Sequence, residues 1–172
     1  MSWSDRSTAE ASLVALTLQR LALGDEVAAA KYGTSMPVSD DGREEQLLSE
    51  VLDRSREIGV DPDLSSRFFR AQFEASKVVQ RRLHELWSAH PELRPRRRPD
   101  LESEVRPRLD AITTQMLLGL KALDGARTTA GRVGRPLDDL HADALRIALA
   151  PIRDRMDDDP VDGSDKAKEY LT

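Results

Sequence analysis

The sequence holds 172 residues, 39% of them hydrophobic and 33% charged, with 4% aromatics, no cysteine and a formal net charge of −5. That is enough apolar material for one domain with a core, and it excludes a wholly disordered chain, a disulfide framework, a thiolate nucleophile and a cysteine-bound metal. The three histidines, His84, His90 and His141, form no ligand pattern, the acidic balance argues against a general nucleic-acid binder, and no apolar run approaches the ~18 residues of a membrane span. A soluble chain without a membrane partner is expected.

Leu, Ala, Arg, Glu and Asp dominate while Val, Ile and aromatics are sparse, which is helix composition. The expected fold is all-α, a bundle of five to six helices. Residues 1–10 are polar and expected to be frayed and flexible. They carry no leader-like apolar stretch, which leaves open both a processed exported protein, secreted or periplasmic, and a cytoplasmic one. Over residues 11–32 Leu13, Leu16, Leu23 and Val27 form a stripe at helical spacing that stops near Gly33. Arg20 and Lys31 lie on that stripe, eleven residues and about three turns apart, so they face the same way about 16 Å apart along the axis.

Met36-Pro37-Val38 forces an extended connection. Asp40-Asp41-Gly42 opens a second helix, with Asp41 and Glu44 at capping-box spacing, and Leu47, Leu48, Val51, Leu52 and Ile58 carry it to Gly59. Asp61-Pro62 opens a long third helix with Leu64, Phe68, Phe69, Phe73, Val79, Leu83 and Trp87 on its buried side. Gln72, Ser76 and Gln80 interrupt that side at i, i+4 and i+8. After a proline- and arginine-rich connector at residues 91–99, a fourth helix runs from Leu101 through Leu109, Met116 and Leu123, adjusted near Pro107, with Arg106 close to its stripe. Residues 125–134 read as a loop, and Pro136-Leu137-Asp138-Asp139 opens a last helix through Ile152 with a kink at Pro151. From Asp157 an acidic tail follows, so the single domain is expected to span residues 11–156.

Arg20, Lys31, Ser76 and Gln80 therefore face inward. Burying such groups without partners costs ~1–3 kcal/mol for each neutral one and more for the cations. Two readings follow. In one, Arg20 and Lys31 pair with interior carboxylates such as Asp110, while Ser76 and Gln80 bond neighbouring backbone. In the other, the cations line a polar pocket inside the bundle that receives an anionic ligand. The Arg94-Pro95-Arg96-Arg97-Arg98 run reads as a solvated loop rather than a nucleic-acid patch, and the glycines at 131 and 134 follow no strand, so they are not read as a phosphate loop.

The spaced elements Arg20-Leu21, Val27-Ala28-Ala29-Ala30-Lys31-Tyr32, Pro37-Val38-Ser39-Asp40-Asp41-Gly42-Arg43-Glu44, Gly59-Val60-Asp61-Pro62-Asp63, Phe68-Phe69-Arg70-Ala71-Gln72 and Ala75-Ser76-Lys77-Val78-Val79-Gln80 resemble the all-helical chorismate mutases. The longer second half, with Arg106-Pro107-Arg108-Leu109-Asp110, is similar to the extended, usually exported gamma-type subclass. Its frequent cysteine pair is missing here. The resemblance implies the rearrangement of chorismate to prephenate without metal, cofactor or covalent intermediate, in a homodimer whose subunits each build a pocket.

By the same resemblance Arg20, Arg43 and Arg106 would grip the two substrate carboxylates. Lys31 would reach a carboxylate and the ether oxygen, Gln80 would donate to that oxygen from the other side, and Ser76 would help hold a carboxylate. Glu44, with the backbone at Asp40, would bind the ring hydroxyl; the capping box competes for the same Glu44. A glutamine at position 80 needs no protonation to donate, so a broad pH profile is expected. A relative such as an isochorismate pyruvate lyase or a secondary-pathway mutase, and a non-enzymatic helical interaction module, are the alternatives.

Overall fold

The computed structural model describes residues 3–124 and 139–157, with side chains for residues 8–123 and 139–152. Its elements are α1 (Trp3–Lys31), α2 (Asp41–Ile58), α3 (Pro62–Ala89), a 3₁₀ turn (Pro91–Leu93), a π-helical turn (Leu101–Val105), α4 (Arg106–Asp124) and α5 (Asp139–Asp157), and no strand occurs among the described residues. None of these helices is long and apolar enough to cross a membrane. The expected loop at 125–134, the opening of the last helix at 136–138 and the tail from 158 lie outside the described residues.

Helix α1 starts at Trp3, inside the segment expected to be frayed, and Ala9 and Glu10 at the end of that segment are buried. It ends where Gly33 takes φ +71°, a conformation that costs glycine little. The start of α2 differs from expectation. Asp40, extended at φ −136° and ψ 90°, is the cap, and its carboxylate accepts from the Arg43 backbone N–H at 3.0 Å. Asp41 is already helical and cannot cap, so the Asp41–Glu44 capping box does not form. The Glu44 carboxylate instead takes the Lys77 ammonium of α3 at 3.1 Å. At the other end Gly59, φ +73°, closes α2 with bonds from Gly59 and Val60 N–H back to the Arg56 and Ser55 carbonyls. Asp61 caps α3 through the Asp63 N–H at 3.0 Å, with Pro62 in the first turn as expected.

The arginine connector is tied down at two points rather than freely solvated. Arg94 donates to the Trp87 carbonyl at 3.0 Å and Arg98 to the Tyr32 carbonyl at 2.8 Å. The adjustment expected at Pro107 is a wide turn just before it. There the Val105 and Arg106 N–H groups bond five residues back, to the Asp100 and Leu101 carbonyls, so the turn absorbs a proline that has no N–H to offer.

Helix α1 packs against α3, α4 and α5, while α2 covers α3 and α4. One core joins Leu13 and Leu16 of α1, Leu48 and Val51 of α2, Phe68, Phe69 and Phe73 of α3, and Met116, Leu117 and Leu120 of α4. Phe68 and Phe69 are fully buried and meet edge to face at 5.3 Å, each contributing about 1.5–3 kcal/mol by burial alone. A second core sets Ala75 and Val79 of α3 and Leu21 of α1 against Ala144, Leu145, Ala148 and Leu149 of α5. Gln72 is structural there. Its amide donates to the Ala148 carbonyl at 3.0 Å, next to the Ile147 carbonyl that loses its helical donor to Pro151.

Candidate active site

A cavity of about 470 Å³ opens between α1, α2 and the start of α4. Arg20, Val27 and Lys31 of α1 line it at i, i+7 and i+11, and Met36, Pro37 and Asp40 close the loop side. From α2 come Arg43, Leu47, Glu50, Val51 and Arg54, from α3 Phe73, from the π turn Leu101 and Glu102, and from α4 Arg106, Pro107, Leu109, Asp110 and Thr113. Val51 and Phe73 belong to the core as well, with Leu47 packed against it, so on the α2 and α3 sides the pocket is where the core gives way to charge.

Its cations are held in different ways. Arg20 is 9% exposed, stacks 5.8 Å from the centre of the Phe73 ring, and has one long hydrogen bond, 3.4 Å to the Thr113 hydroxyl. Its Nε has no partner, and desolvation lowers its pKa to about 10. Lys31 donates to the Pro37 carbonyl at 2.8 Å and more weakly to that of Val38. Burial lowers its pKa first of all; Asp40 pulls it back up, Arg106 pushes it further down, and Glu44 raises it. Arg43 donates to the Gln46 side chain at 2.9 Å. Arg106 is paired with Glu102, four residues before it, and Arg54 with Asp110 at 2.7 Å. Asp110 therefore serves Arg54, and the reading in which Arg20 and Lys31 pair with that carboxylate does not hold. Arg54 reaches it from α2, whereas Arg20 stays beneath Thr113 and Phe73.

Arg20, Lys31, Asp40, Arg43 and Arg106 thus line one cavity, whereas Glu44, Ser76 and Gln80 are not among the residues that line it. Gln80 is 4% exposed, its Nε2 donates to the Ser76 hydroxyl at 3.0 Å, and its Oε1 has no partner. Half a turn of the amide exchanges which atom is left over. Glu44 bridges to Lys77 yet still acts on Lys31. Sequence reasoning passed over Glu50, Arg54, Glu102 and Thr113. Arg54 had a signal, since it follows Arg43 by the same eleven residues that separate Lys31 from Arg20. Glu102 had one too, at i−4 from Arg106. Among the described residues no group of His, Asp or Glu is placed to hold a metal ion.

The fold has known counterparts. Residues 8–81 match the family model described as chorismate mutase type II. A crystal structure of a chorismate mutase from Burkholderia thailandensis is 34% identical and superposes with a TM-score of 0.74, over 84% of this chain and 99% of that one. The chain belongs to the chorismate mutase type II family. It is also 32% identical over 114 residues to a protein of Mycobacterium tuberculosis named secreted chorismate mutase, covering 66% of this chain and 57% of that protein. A protein of Mycolicibacterium smegmatis with the same name is 31% identical over 105 residues, 61% of this chain and 58% of its own length. The chain thus spans less than two thirds of these two relatives. The family match ends at α3, at Arg81, so the α4 wall with Arg106 lies beyond it.

Proposed function

We propose that this family member is a chorismate mutase, rearranging chorismate to prephenate in the α1–α2–α4 pocket. The observation that carries the reading is Arg20, a buried cation that no described carboxylate neutralises, in one wall with Lys31. A free guanidinium so desolvated is disfavoured by on the order of 3 kcal/mol, which an anionic ligand would return. Chorismate carries two carboxylates. In the proposed reaction the ether C–O bond breaks as a new C–C bond forms, six electrons shift around a chair-like ring, and negative charge grows on the departing oxygen. No proton or group leaves the substrate.

The protein's task is then to hold the compact conformer and to meet that charge with fixed donors. Arg20, Arg43 and Arg106 would clamp carboxylates with planar forks, and Lys31 would reach a carboxylate and the ether oxygen. The Gln80 amide, released from Ser76, would donate to the same oxygen from the α3 side, leaving Ser76 for a carboxylate. Glu44 and the Asp40 backbone would take the ring hydroxyl. The test is incubation with chorismate, following loss of its absorbance and identifying the product. Prephenate formed well above the uncatalysed rate supports the proposal, whereas no acceleration, or release of pyruvate, overturns it.

The names of the mycobacterial relatives support an exported protein. The family resemblance supports a homodimer. Fractionation of cells expressing the natural gene and light scattering of the purified chain test these two points.

A further inference from the structure

We propose that Glu102 is a built-in competitor for the substrate, a carboxylate of the protein that occupies Arg106 until a carboxylate of the ligand displaces it. The inference rests on the proposed function and deepens it, because it names what sets affinity at the pocket's α4 wall. Glu102 lies in the π turn and Arg106 immediately follows that turn; both line the cavity and form an ion pair across i, i+4. Arg106 is at the same time close enough to Lys31 to lower its pKa. Within the pocket one cation thus stands against another, and Glu102 offsets one of them. A ligand carboxylate placed between Lys31 and Arg106 would do so for both. It would then leave Glu102 free to turn outward, where its side chain is already 71% exposed.

The pair is therefore an exchange site rather than a permanent brace. Asp110 does not share this role, since its partner Arg54 has a second anchor at the Thr114 hydroxyl. Removing the Glu102 charge should leave Arg106 unoccupied in the free protein and spare the ligand a competing anion, with no change in the bonds made during the rearrangement. The effect belongs in KM and in ligand affinity, not in kcat. For an ion pair this exposed, the expected change is about two- to fivefold.

The experiment compares wild type, Glu102→Gln, Arg106→Ala and the double variant in chorismate turnover, with calorimetric titration of the endo-oxabicyclic dicarboxylate that mimics the transition state. Glu102→Gln should lower both KM and the dissociation constant two- to fivefold at unchanged kcat, and should have no effect in the Arg106→Ala background. An unchanged or higher KM, or the same change with and without Arg106, overturns the proposal while the function stands. A wild type that neither accelerates the reaction nor binds the dicarboxylate overturns the function, and this inference with it. Thermal melting of each variant separates a merely structural role for Glu102, which would shift Tm without moving KM.

Discussion

Arg20 of α1 lies against Phe73 of α3, its guanidinium carbon 5.8 Å from the ring centre, with no carboxylate of the described residues facing it. The aromatic face supplies some electrostatic compensation for the lost water, but an aromatic ring is a weak substitute for a counter-ion. The fold carries the cost of this cation in its free state, which is the arrangement expected of a group kept ready for an anion.

Arg20→Met should accordingly raise stability while abolishing activity. A thioether follows the aliphatic stem of arginine and removes the uncompensated charge, so urea unfolding should show a gain of about 1–3 kcal/mol. Turnover of chorismate should fall at least ~100-fold. A loss of stability would show that the cation is satisfied in the free protein.

Lys31 sets the alkaline side of the pH profile. Its pKa is lowered, chiefly by burial, from the ordinary 10.5, so kcat/KM should be full below that lowered value and fall as pH rises through it. A bound dianion raises the pKa again, so the fall in kcat should lie at higher pH than the fall in kcat/KM. For folding the sign is opposite. Between the folded and unfolded pKa of Lys31 the unfolded chain binds more protons, so this group's contribution to stability grows with pH. Lys31→Arg should move the alkaline limb upward, and Lys31→Ala should remove most activity with an unchanged helical circular-dichroism spectrum.

Gln80→Glu tests the donor on α3. The amide donates at any pH, and wild-type kcat/KM should be flat from pH 5 to 8. A carboxyl at this 4%-exposed position has its pKa raised by burial and donates only when protonated. The variant should lose at least about tenfold in kcat/KM between pH 5 and 8 while remaining folded. A flat profile for the variant would remove position 80 from the reaction.

Gly119→Ala probes the close approach of α4 to α1. A Cβ there would stand 2.8 Å from Cδ2 and 3.0 Å from Cγ of Leu13, which is fully buried. Overpacking should cost about 1–3 kcal/mol, partly offset by the better helix propensity of alanine. Denaturant unfolding should show a net loss that shrinks in a Leu13→Ala background, with little change in kcat/KM at 25 °C.

Periodicity and caps were enough to read most of the scaffold from the sequence. The stripe from Leu13 to Val27, the Gly59 stop, the Asp61-Pro62 start and the buried face of α3 are local features, written in residues within a few turns of one another. Even there the start of α2 was one residue off. Asp40 and Asp41 are chemically equivalent candidates, and only the backbone angles decide which one caps.

The inward direction of Arg20 and Lys31 is likewise a property of α1 alone, since the eleven-residue spacing puts both on the face that carries its apolar stripe. What the sequence could not determine is which carboxylate meets which cation. No linear reading assigns Asp110 to Arg20 or to Arg54; tertiary packing gave it to Arg54 and left Arg20 on Phe73, whereas the Glu102–Arg106 pair is local, four residues apart. Helix phase is set by bonds four residues long, whereas ion pairing in a pocket is set by where separate helices cross. A difference of one turn in that crossing decides whether a buried cation is neutralised by the protein or left for a ligand.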